Sequence, residues 1–228
     1  MPDKKTTKSG RTYTISLANR KARGSGHERL GEILAAAKEL FIEEGAENVT
    51  TRKIAERVGI SQAALFSYYK TKDEMLARLM QNAFGELAHA LANAGDAAAD
   101  TRDWLRRAVA GYVGFGLKYP DEYRLAFMVI KAHKKAAASS PAQPGIVQRI
   151  GLPVFQQLER KVAEAMAAGA LRSDLGSSML VAQTLWAALH GLTALLIARP
   201  RPHFPWEDVD DLIRAQTELI LGGILAKR

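Results

Sequence analysis

Apolar residues recur at the spacing of an α-helix along most of the chain. The first such run consists of Leu30, Ile33, Leu34, Ala37, Leu40 and Phe41. Residues three or four positions apart lie on one face of a helix, so this run predicts a helix with one buried face. Gly45 follows the run, and glycine commonly ends a helix because it adopts positive φ easily. We therefore predict a first helix that ends at Gly45.

A short helix and a tight turn are predicted next. Thr50 or Thr51 can cap this helix, and its inward face carries Ile54 and Val58. Gly59 stands directly after the helix with an apolar residue behind it, which is typical of a helix that ends in a left-handed residue. The chain therefore turns sharply after a helix of only two turns.

A second short helix is predicted over residues 62–69. Ser61 can cap it, and Leu65 and Tyr69 form its inward face. The sequence Thr71-Lys72-Asp73-Glu74 is a capping box and predicts the start of a third helix. Two short helices joined by a tight turn have helix-turn-helix geometry.

The rest of the chain shows further helical runs. The predicted helices cover residues 75 to about 91, 104–115, 123–130, 146–168, 177–198 and about 206–226. Residues 134–145 form a basic loop rich in Pro, Ser and Ala, which we expect to be mobile. Only residues 12–17 alternate as a strand would. The pattern predicts an all-α fold.

The composition excludes several classes of protein. The chain has 228 residues, a formal net charge of +8 and no cysteine, which excludes disulfides, zinc–thiolate sites and a cysteine nucleophile. The five histidines are scattered without metal-ligand spacing, and neither a Ser/His/Asp order nor a phosphate-binding loop stands out. We expect no catalytic residues, no metal and no cofactor, so an enzyme is the less favoured function.

The first 26 residues form a strongly basic extension. They contain seven Lys or Arg residues against Asp3 alone. They show no sustained period, which indicates disorder, and no apolar core of a secretory signal. Either a solvated extension or an arm attracted to a polyanion fits this charge.

One uncharged segment, Leu175 to Ala198, is long enough to cross a bilayer. Its polar positions are Ser177, Ser178, Gln183, Thr184, His190 and Thr193. A helix that is packed against protein on most sides explains both the missing charge and the polar positions. We therefore predict no membrane span.

The outward face of residues 62–69 fits the major groove of DNA, which admits one helix. Gln62 can pair with adenine through two hydrogen bonds, and Ala64 can touch a thymine methyl group. Ser67 and Tyr68 can reach phosphates. This segment is therefore the candidate for base recognition.

Charge is divided between two neighbouring segments. Residues 50–72 contain five basic residues and one acidic residue, whereas residues 27–49 contain two basic and six acidic residues. Because the DNA backbone attracts cations, we predict a domain with one basic side and one acidic side.

Residues 27–76 resemble the DNA-binding domain of the tetracycline-repressor (TetR) family of transcriptional regulators. The resemblance lies in LGEILAAAKELFIEEG, TTRKIAERVGIS and QAALFSYYKTKDEML, and the family pattern falls on Thr51, Ile54-Ala55, Gly59-Ile60-Ser61, Phe66 with Tyr69, and Lys72. By position, it implies DNA contacts from Thr51, Arg52, Gln62, Ala63, Ala64, Phe66, Ser67, Tyr68 and Lys72. Two positions depart from the family: Phe66 is commonly a tyrosine that binds phosphate, and Ala63 is often Gly or Pro.

Residues 73–228 resemble the helical regulatory domain of the same family, less distinctly. The segments YPDEYRLAFM and LWAALHGLTALL carry this resemblance, the second near the dimer contact. A homodimer through the helices near 177–198 and 206–226 would bury the uncharged run. We divide the chain into a basic extension (1–26), a helix-turn-helix DNA-binding domain (27–72) and a helical ligand-binding and dimerisation domain (73–228).

A set of large apolar side chains in the second domain is a candidate lining for a ligand cavity. It comprises Trp104, Tyr112, Phe115, Phe127, Met128, Phe155 and Trp186. Either a cavity or an ordinary core explains these residues. We interpret His190 as a satisfied core or interface histidine, not a metal ligand. Three glycines in one predicted helix, at 111, 114 and 116, indicate either close helix contact or a cavity wall.

The resemblance implies a cytoplasmic, homodimeric repressor that binds a pseudo-palindromic DNA operator and is released by a small apolar ligand. An activator with the same parts is an alternative. A non-specific DNA-binding protein that acts through its basic tail is another, and truncation of residues 1–26 distinguishes it.

Overall fold

The computed structural model describes residues 26–96, 98–129, 146–199 and 204–226. The predictions for the basic extension before Gly26, for residues 12–17 and for the loop 134–145 lie outside the described residues. Within the described residues the regular structure is helical, and one isolated bridge joins Leu171 to Leu225. The all-α prediction is confirmed.

The described chain forms nine α-helices and one π-helical turn. The helices are α1 (Gly26–Glu44), α2 (Thr51–Val58), α3 (Gln62–Phe66), α4 (Lys72–Asp96), α5 (Thr101–Lys118), α6 (Pro120–Arg124), α7 (Ile146–Ala167), α8 (Ser178–Ala198) and α9 (Val209–Ile224), and the π-helical turn is Leu125–Val129. The chain divides into two compact units between Leu79 and Met80, within α4. The domain limits drawn from the sequence, with a boundary at 72/73, stay a prediction.

The first unit contains α1, α2, α3 and the start of α4. Its core consists of fully buried apolar side chains contributed by all four helices: Ile33, Phe41, Ile54, Leu65 and Met75. Burying such side chains stabilises the unit by roughly 1.5–3 kcal/mol each, before the loss of chain entropy is counted. This core holds the two short helices α2 and α3 at a fixed angle.

Local signals determine where α2 and α3 begin. The hydroxyl of Thr50 accepts a hydrogen bond from the amide of Lys53, and that of Ser61 accepts one from the amide of Ala64. Gly59 ends α2 with a φ of 75°, in the left-handed region that favours glycine. The turn between the two helices is therefore fixed at both of its ends.

Helix α3 ends at Phe66 and is therefore shorter than the predicted range 62–69. The hydroxyl of Ser67 donates to the carbonyl of Ala64 at 2.6 Å, and the amide of Tyr68 donates to Leu65 only three residues back. These bonds tighten the last turn. Tyr69 is nevertheless buried, as the sequence predicts.

The second unit contains the rest of α4 and the helices from α5 onward. Helix α5 packs against α6, α8 and α9, and α7 packs against α8. Tyr119 ends α5, and Pro120 begins α6 at a position where its missing N–H costs nothing. The π-helical turn follows directly, and such turns are frequent at functional sites.

The long apolar helix predicted from the sequence is α8. Among the described helices it is the one with the length and apolar composition to cross a membrane. Its buried face includes Ala182, Leu185 and Leu189, whereas Leu180 and Leu195 are exposed. The helix therefore packs against α5 and α7 on one side and presents apolar residues on the other.

The three glycines of α5 lie in three different surroundings. A Cβ atom at Gly116 would lie 2.2 Å from Cγ2 of Thr193, so this glycine allows α5 and α8 to approach closely. A Cβ at Gly111 would lie 3.3 Å from the carbonyl oxygen of Ala90, and one at Gly114 would have open space. Close helix contact therefore accounts for Gly116.

Candidate functional site

The first residues of α2 and α3 are joined by a hydrogen bond between their side chains. Nε2 of Gln62 donates to Oγ1 of Thr51 at 2.9 Å. Gln62 is exposed and Thr51 is half-buried. The bond uses one of the two amide hydrogens of Gln62, so its other hydrogen and its oxygen stay available for a base edge. Two residues predicted as DNA contacts are thus held side by side.

Arg52 lies on the outward side of α2, with 60% of its side chain exposed. Its Nε donates to the carboxylate of Glu56 at 3.0 Å, one helical turn along. Such exposed ion pairs contribute little to stability and are readily exchanged for another anion. Arg52 can therefore turn from Glu56 toward a phosphate or a guanine.

The other predicted contacts of α3, and the two that follow it, are exposed or half-buried, in contrast to the core residue Leu65. Gln62, Ala63, Phe66 and Ser67 are exposed, and Ala64 and Tyr68 are half-buried. Phe66, at 37% exposure, presents an apolar ring on this surface. Since phenylalanine has no hydroxyl, its contribution to DNA binding is limited to apolar contact.

Lys72 has a role inside the protein that the sequence did not predict. Its ammonium group donates to the carbonyl oxygens of Ala46 at 2.7 Å, Val49 at 3.0 Å and Glu47 at 3.3 Å. These bonds fasten the loop between α1 and α2 to the first residue of α4. All three donor hydrogens of the ammonium group are engaged, so a phosphate contact from Lys72 requires one of these bonds to break.

The predicted separation of the first unit into a basic side and an acidic side is wrong where α1 meets α2. Arg57 forms ion pairs with Glu39 at 3.1 Å and with Glu43 at 3.0 Å, and Lys53 pairs with Glu44. These carboxylates raise the pKa of Arg57. The opposite charges meet because α1 and α2 pack side by side, which segment charge counts do not reveal.

The second unit contains a cavity of about 810 Å³. Its walls come from α4, α5, the π-helical turn, α7 and α8. The described residues that line it include no Asp, Glu, Lys or Arg. Its polar lining residues are Tyr112, Gln183, Trp186 and His190. A cavity of this size, mostly apolar and with few polar groups, is typical of small-molecule sites.

The structure brings four of the seven predicted ligand-lining residues together. Tyr112, Phe127, Phe155 and Trp186 line the larger cavity. Trp104 instead lines a smaller cavity of about 390 Å³. Phe115 is buried and contacts the rings of Tyr119 and Tyr123, and Met128 is 43% exposed; neither lines the two cavities.

Several lining residues were missed by the sequence analysis. They are Phe84, Leu87 and Leu91 of α4, Leu152 and Leu158 of α7, and His190 of α8. Their helical spacing predicts a buried face without telling a core from a cavity. The signal available in the sequence was Gly151, a glycine inside the predicted helix 146–168. In the structure a Cβ at this position would lie 2.7 Å from the ring of Phe84.

Four polar side chains in this region form a connected hydrogen-bond chain, which we call the polar relay: Trp186, Tyr112, Tyr123 and His190. Nε1 of Trp186 donates to the hydroxyl of Tyr112 at 3.1 Å, the two tyrosine oxygens lie 3.3 Å apart, and the Tyr123 oxygen lies 2.6 Å from Nδ1 of His190. Burial raises the pKa of both tyrosines and lowers that of His190. The relay is therefore neutral at pH 7.

Two short helices whose first residues are polar and hydrogen-bonded to each other, in a chain that also holds a helical unit with an apolar cavity, define a helix-turn-helix transcriptional regulator. Residues 33–79 match the family described as bacterial regulatory proteins, tetR family, and residues 105–220 match the tetracyclin repressor-like C-terminal domain. The second match alone covers more than half of the chain. The protein belongs to the TetR family and is a DNA-binding transcriptional regulator.

Two relatives in sequence match different shares of this chain. The transcriptional activator FasR of Mycolicibacterium smegmatis is 31% identical over 100 residues, which are 44% of this chain and 46% of FasR. The chain thus matches less than half of FasR. The nucleoid occlusion factor SlmA of Klebsiella pneumoniae is 26% identical over 181 residues, covering 77% of this chain and 87% of SlmA.

Solved structures support the fold. The ketosteroid transcriptional regulator KstR2 of Mycobacterium tuberculosis has a TM-score of 0.65 at 19% identity and covers 91% of this chain and 98% of its own. The fatty acid degradation regulator FadR of Bacillus halodurans has a TM-score of 0.69 at 16% identity and covers 90% and 97%. At these identities the two structures establish the fold alone.

Proposed function

We propose that this protein is a homodimeric repressor that binds a pseudo-palindromic operator through α2 and α3. A small apolar ligand in the larger cavity releases it. The observation that carries this proposal is the cavity of about 810 Å³ in a chain that also holds a helix-turn-helix unit. As a regulator of transcription it acts where the chromosome is, and we propose a cytoplasmic location.

Base recognition is assigned to Gln62 and Arg52. Glutamine pairs with the N6 and N7 atoms of adenine, and arginine pairs with O6 and N7 of guanine. The hydroxyls of Ser67 and Tyr68 and the amides at the start of α2 are assigned to phosphates, which fix the register of the protein on the duplex. For Ser67 this requires its hydroxyl to exchange the carbonyl of Ala64 for the phosphate. Ala63, Ala64 and Phe66 are assigned apolar contacts.

Dimerisation is assigned to the exposed apolar faces of α8 and α9. Leu180 and Leu195 are about half exposed, and Leu219 of α9 is 78% exposed. Exposed leucines grouped on helices indicate an interaction surface. Gln216 ties the two helices together, because its Nε2 donates to the carbonyl of Ala188 at 2.7 Å. A two-fold dimer would place two α3 helices about 34–36 Å apart, one turn of DNA.

An apolar effector agrees with the lining of the cavity and with two of the structural neighbours, a ketosteroid regulator and a fatty acid degradation regulator. A ligand that binds better to the state without DNA lowers DNA affinity by its differential affinity. By linkage, DNA lowers ligand affinity by the same factor.

An activator is the second candidate, and the description of FasR as a transcriptional activator favours it. In that case the ligand strengthens operator binding or leaves it unchanged. Binding driven by the basic extension, residues 1–26, is the third candidate. Truncation would then abolish binding to all sequences equally, whereas a sequence-specific regulator keeps its preference.

Selection of bound sequences from random duplex DNA tests the proposal. The expected result is a pseudo-palindrome whose half-sites lie one helical turn apart. Equal recovery of all sequences would contradict it. Titration of the selected duplex with apolar compounds then separates repressor from activator by the sign of the change in affinity.

A further inference from the structure

The polar relay contains one hydrogen more than its bonds require. With every member neutral, Trp186, Tyr112, Tyr123 and His190 each bring one hydrogen on nitrogen or oxygen. Three bonds connect them. The hydroxyl of Thr193 lies beside that of Tyr123 and donates its hydrogen to the carbonyl of Leu189, so it brings no further hydrogen to the relay. One hydrogen is therefore left for another partner.

The position of that hydrogen follows from the two tautomers of His190. With the hydrogen on Nε2, Tyr112 donates to Tyr123 and Tyr123 donates to Nδ1, which leaves only Nε2–H. With the hydrogen on Nδ1, this nitrogen donates to Tyr123, and both the hydrogen of one tyrosine hydroxyl and the Nε2 lone pair lack partners within the relay. Tyr123 and Tyr112 are 0% and 3% exposed, and an unpaired buried hydroxyl is unfavourable on either of them. The first arrangement is therefore favoured.

His190 presents this hydrogen at the cavity. It lines the larger cavity and is half-buried, and within the described part of the chain its Nε2 has no hydrogen-bond partner. Water can occupy that position in the free protein. A ligand with an acceptor replaces the water without losing the bond, whereas a pure hydrocarbon loses it.

The lining also restricts the charge of the ligand. The described residues around the larger cavity carry no formal charge. Among these described residues a carboxylate would lose water without gaining a cation, which is unfavourable. Cations occur at the smaller cavity, where Arg160 and Lys161 stand in the wall and Lys161 is paired with Glu164 at 3.0 Å.

We propose that the larger cavity takes a neutral, mostly apolar molecule with one hydrogen-bond acceptor, of the ester, ketone or alcohol class, and that His190 Nε2–H selects this acceptor. This inference rests on the proposed function, because it assigns the chemical class of the effector. In this proposal His190 determines specificity. The three other members of the relay are residues that position His190.

Matched probes test the class of ligand by isothermal titration calorimetry of the full chain at pH 8. One set is methyl naphthoate, naphthoate and naphthalene, and the other is methyl dodecanoate and dodecanoate. We expect each ester to bind more than about tenfold tighter than its acid. We expect methyl naphthoate to bind about three- to tenfold tighter than naphthalene, the effect of one hydrogen bond.

Two substitutions test the role of His190. His190→Phe should reduce ester affinity about three- to tenfold and leave naphthalene affinity unchanged, because only the acceptor loses its partner. His190→Gln should restore most of the ester affinity, since its amide also donates. Equal losses for naphthalene and the ester would assign His190 a merely structural role and overturn its part in selection.

The remaining outcomes separate this inference from the proposed function. Acids that bind as tightly as esters, with binding lost in Arg160→Ala, would overturn the inference and leave the effector role intact. Esters that bind tightly without changing operator affinity would uphold the inference and contradict the proposed function. No binding of any probe to the folded protein would contradict both.

Discussion

The side chain of Gln62 donates a hydrogen bond to the hydroxyl of Thr51 at 2.9 Å, which joins the first residue of α3 to the first residue of α2. The bond fixes the plane of the glutamine amide before any DNA is present. A preordered amide loses less conformational entropy when it pairs with adenine. We therefore expect Thr51 to support the base recognition proposed for Gln62.

Removing the Thr51 acceptor should weaken recognition of one base. Thr51→Val keeps the shape of the side chain without its hydroxyl, so we expect operator affinity to fall about three- to tenfold. Thr51→Ser should retain affinity. Fluorescence anisotropy on the operator and on a duplex changed at the adenine opposite Gln62 measures both effects. Additive losses in Thr51→Val and Gln62→Ala would show that the two side chains act independently.

Arg52 and Arg57 offer a matched pair of substitutions on one helix. Arg52→Ala should weaken operator binding by roughly 1–3 kcal/mol if the guanidinium contacts a base. Arg57→Ala should change operator binding much less, because Arg57 is engaged with Glu39 and Glu43 of α1. Titrations at one salt concentration make the comparison. Equal effects of the two substitutions would contradict the assignment.

Lys72→Met should destabilise the first unit. The three carbonyl oxygens that accept from its ammonium group lose their partner, and we expect the free energy of unfolding to fall by roughly 1–3 kcal/mol. Urea denaturation followed by circular dichroism measures this. Unchanged stability together with weaker DNA binding would instead make Lys72 a phosphate contact.

Alanine substitution at two glycines of α5 should change the stability of the second unit in opposite directions. A methyl group at Gly116 would collide with Thr193, so Gly116→Ala should destabilise the second unit by roughly 1–3 kcal/mol. Gly114 has open space around it, and Gly114→Ala should stabilise by up to about 1 kcal/mol through helix propensity. Thermal unfolding of both variants checks the signs. Stabilisation by Gly116→Ala would mean that α5 and α8 do not approach closely.

His190 should make stability depend on pH. Burial lowers its pKa in the folded protein, while in the unfolded chain the pKa stays near 6.5. Below about pH 6.5 the unfolded chain therefore binds a proton that the folded protein does not, so stability falls as the pH falls. The titratable neighbours Tyr112 and Tyr123 stay protonated because burial raises their pKa.

The test compares His190→Gln with the parent protein by denaturation between pH 5 and pH 8, a range centred on the ordinary histidine pKa of about 6.5. The variant should show a flatter decline of stability below neutrality. His89→Gln, at an exposed position of α4, controls for the loss of one histidine elsewhere. The same slope in the parent and in His190→Gln would contradict the role of burial at His190.

The sequence predicted the first unit well because its signals are local. Gly45, Gly59 and Ser61 each mark a helix end within a few residues, and the structure places the ends there. The contacts of Lys72 were beyond such signals, since they bridge more than twenty residues of chain. The pairing of Arg57 with α1 likewise depends on how two helices pack.

The cavity could be predicted only in part. Aromatic residues such as Tyr112 and Trp186 stood out by type, whereas Leu87 shares the helical spacing of any core residue. Whether an apolar face meets another helix or an empty volume depends on the distance between helices. That distance is set by packing at positions such as Gly151 of α7, which meets the ring of Phe84 in α4, a residue far from it in sequence.

Every role proposed for this protein depends on sequence-specific DNA binding by α2 and α3. Anisotropy titrations of one selected palindrome and its scrambled counterpart, at the same moderate salt concentration, measure this specificity. We predict that the full chain prefers the palindrome by about a thousandfold or more, and that Gln62→Ala and Arg52→Ala reduce this preference. Equal affinity for both duplexes, unchanged by either substitution, would contradict it.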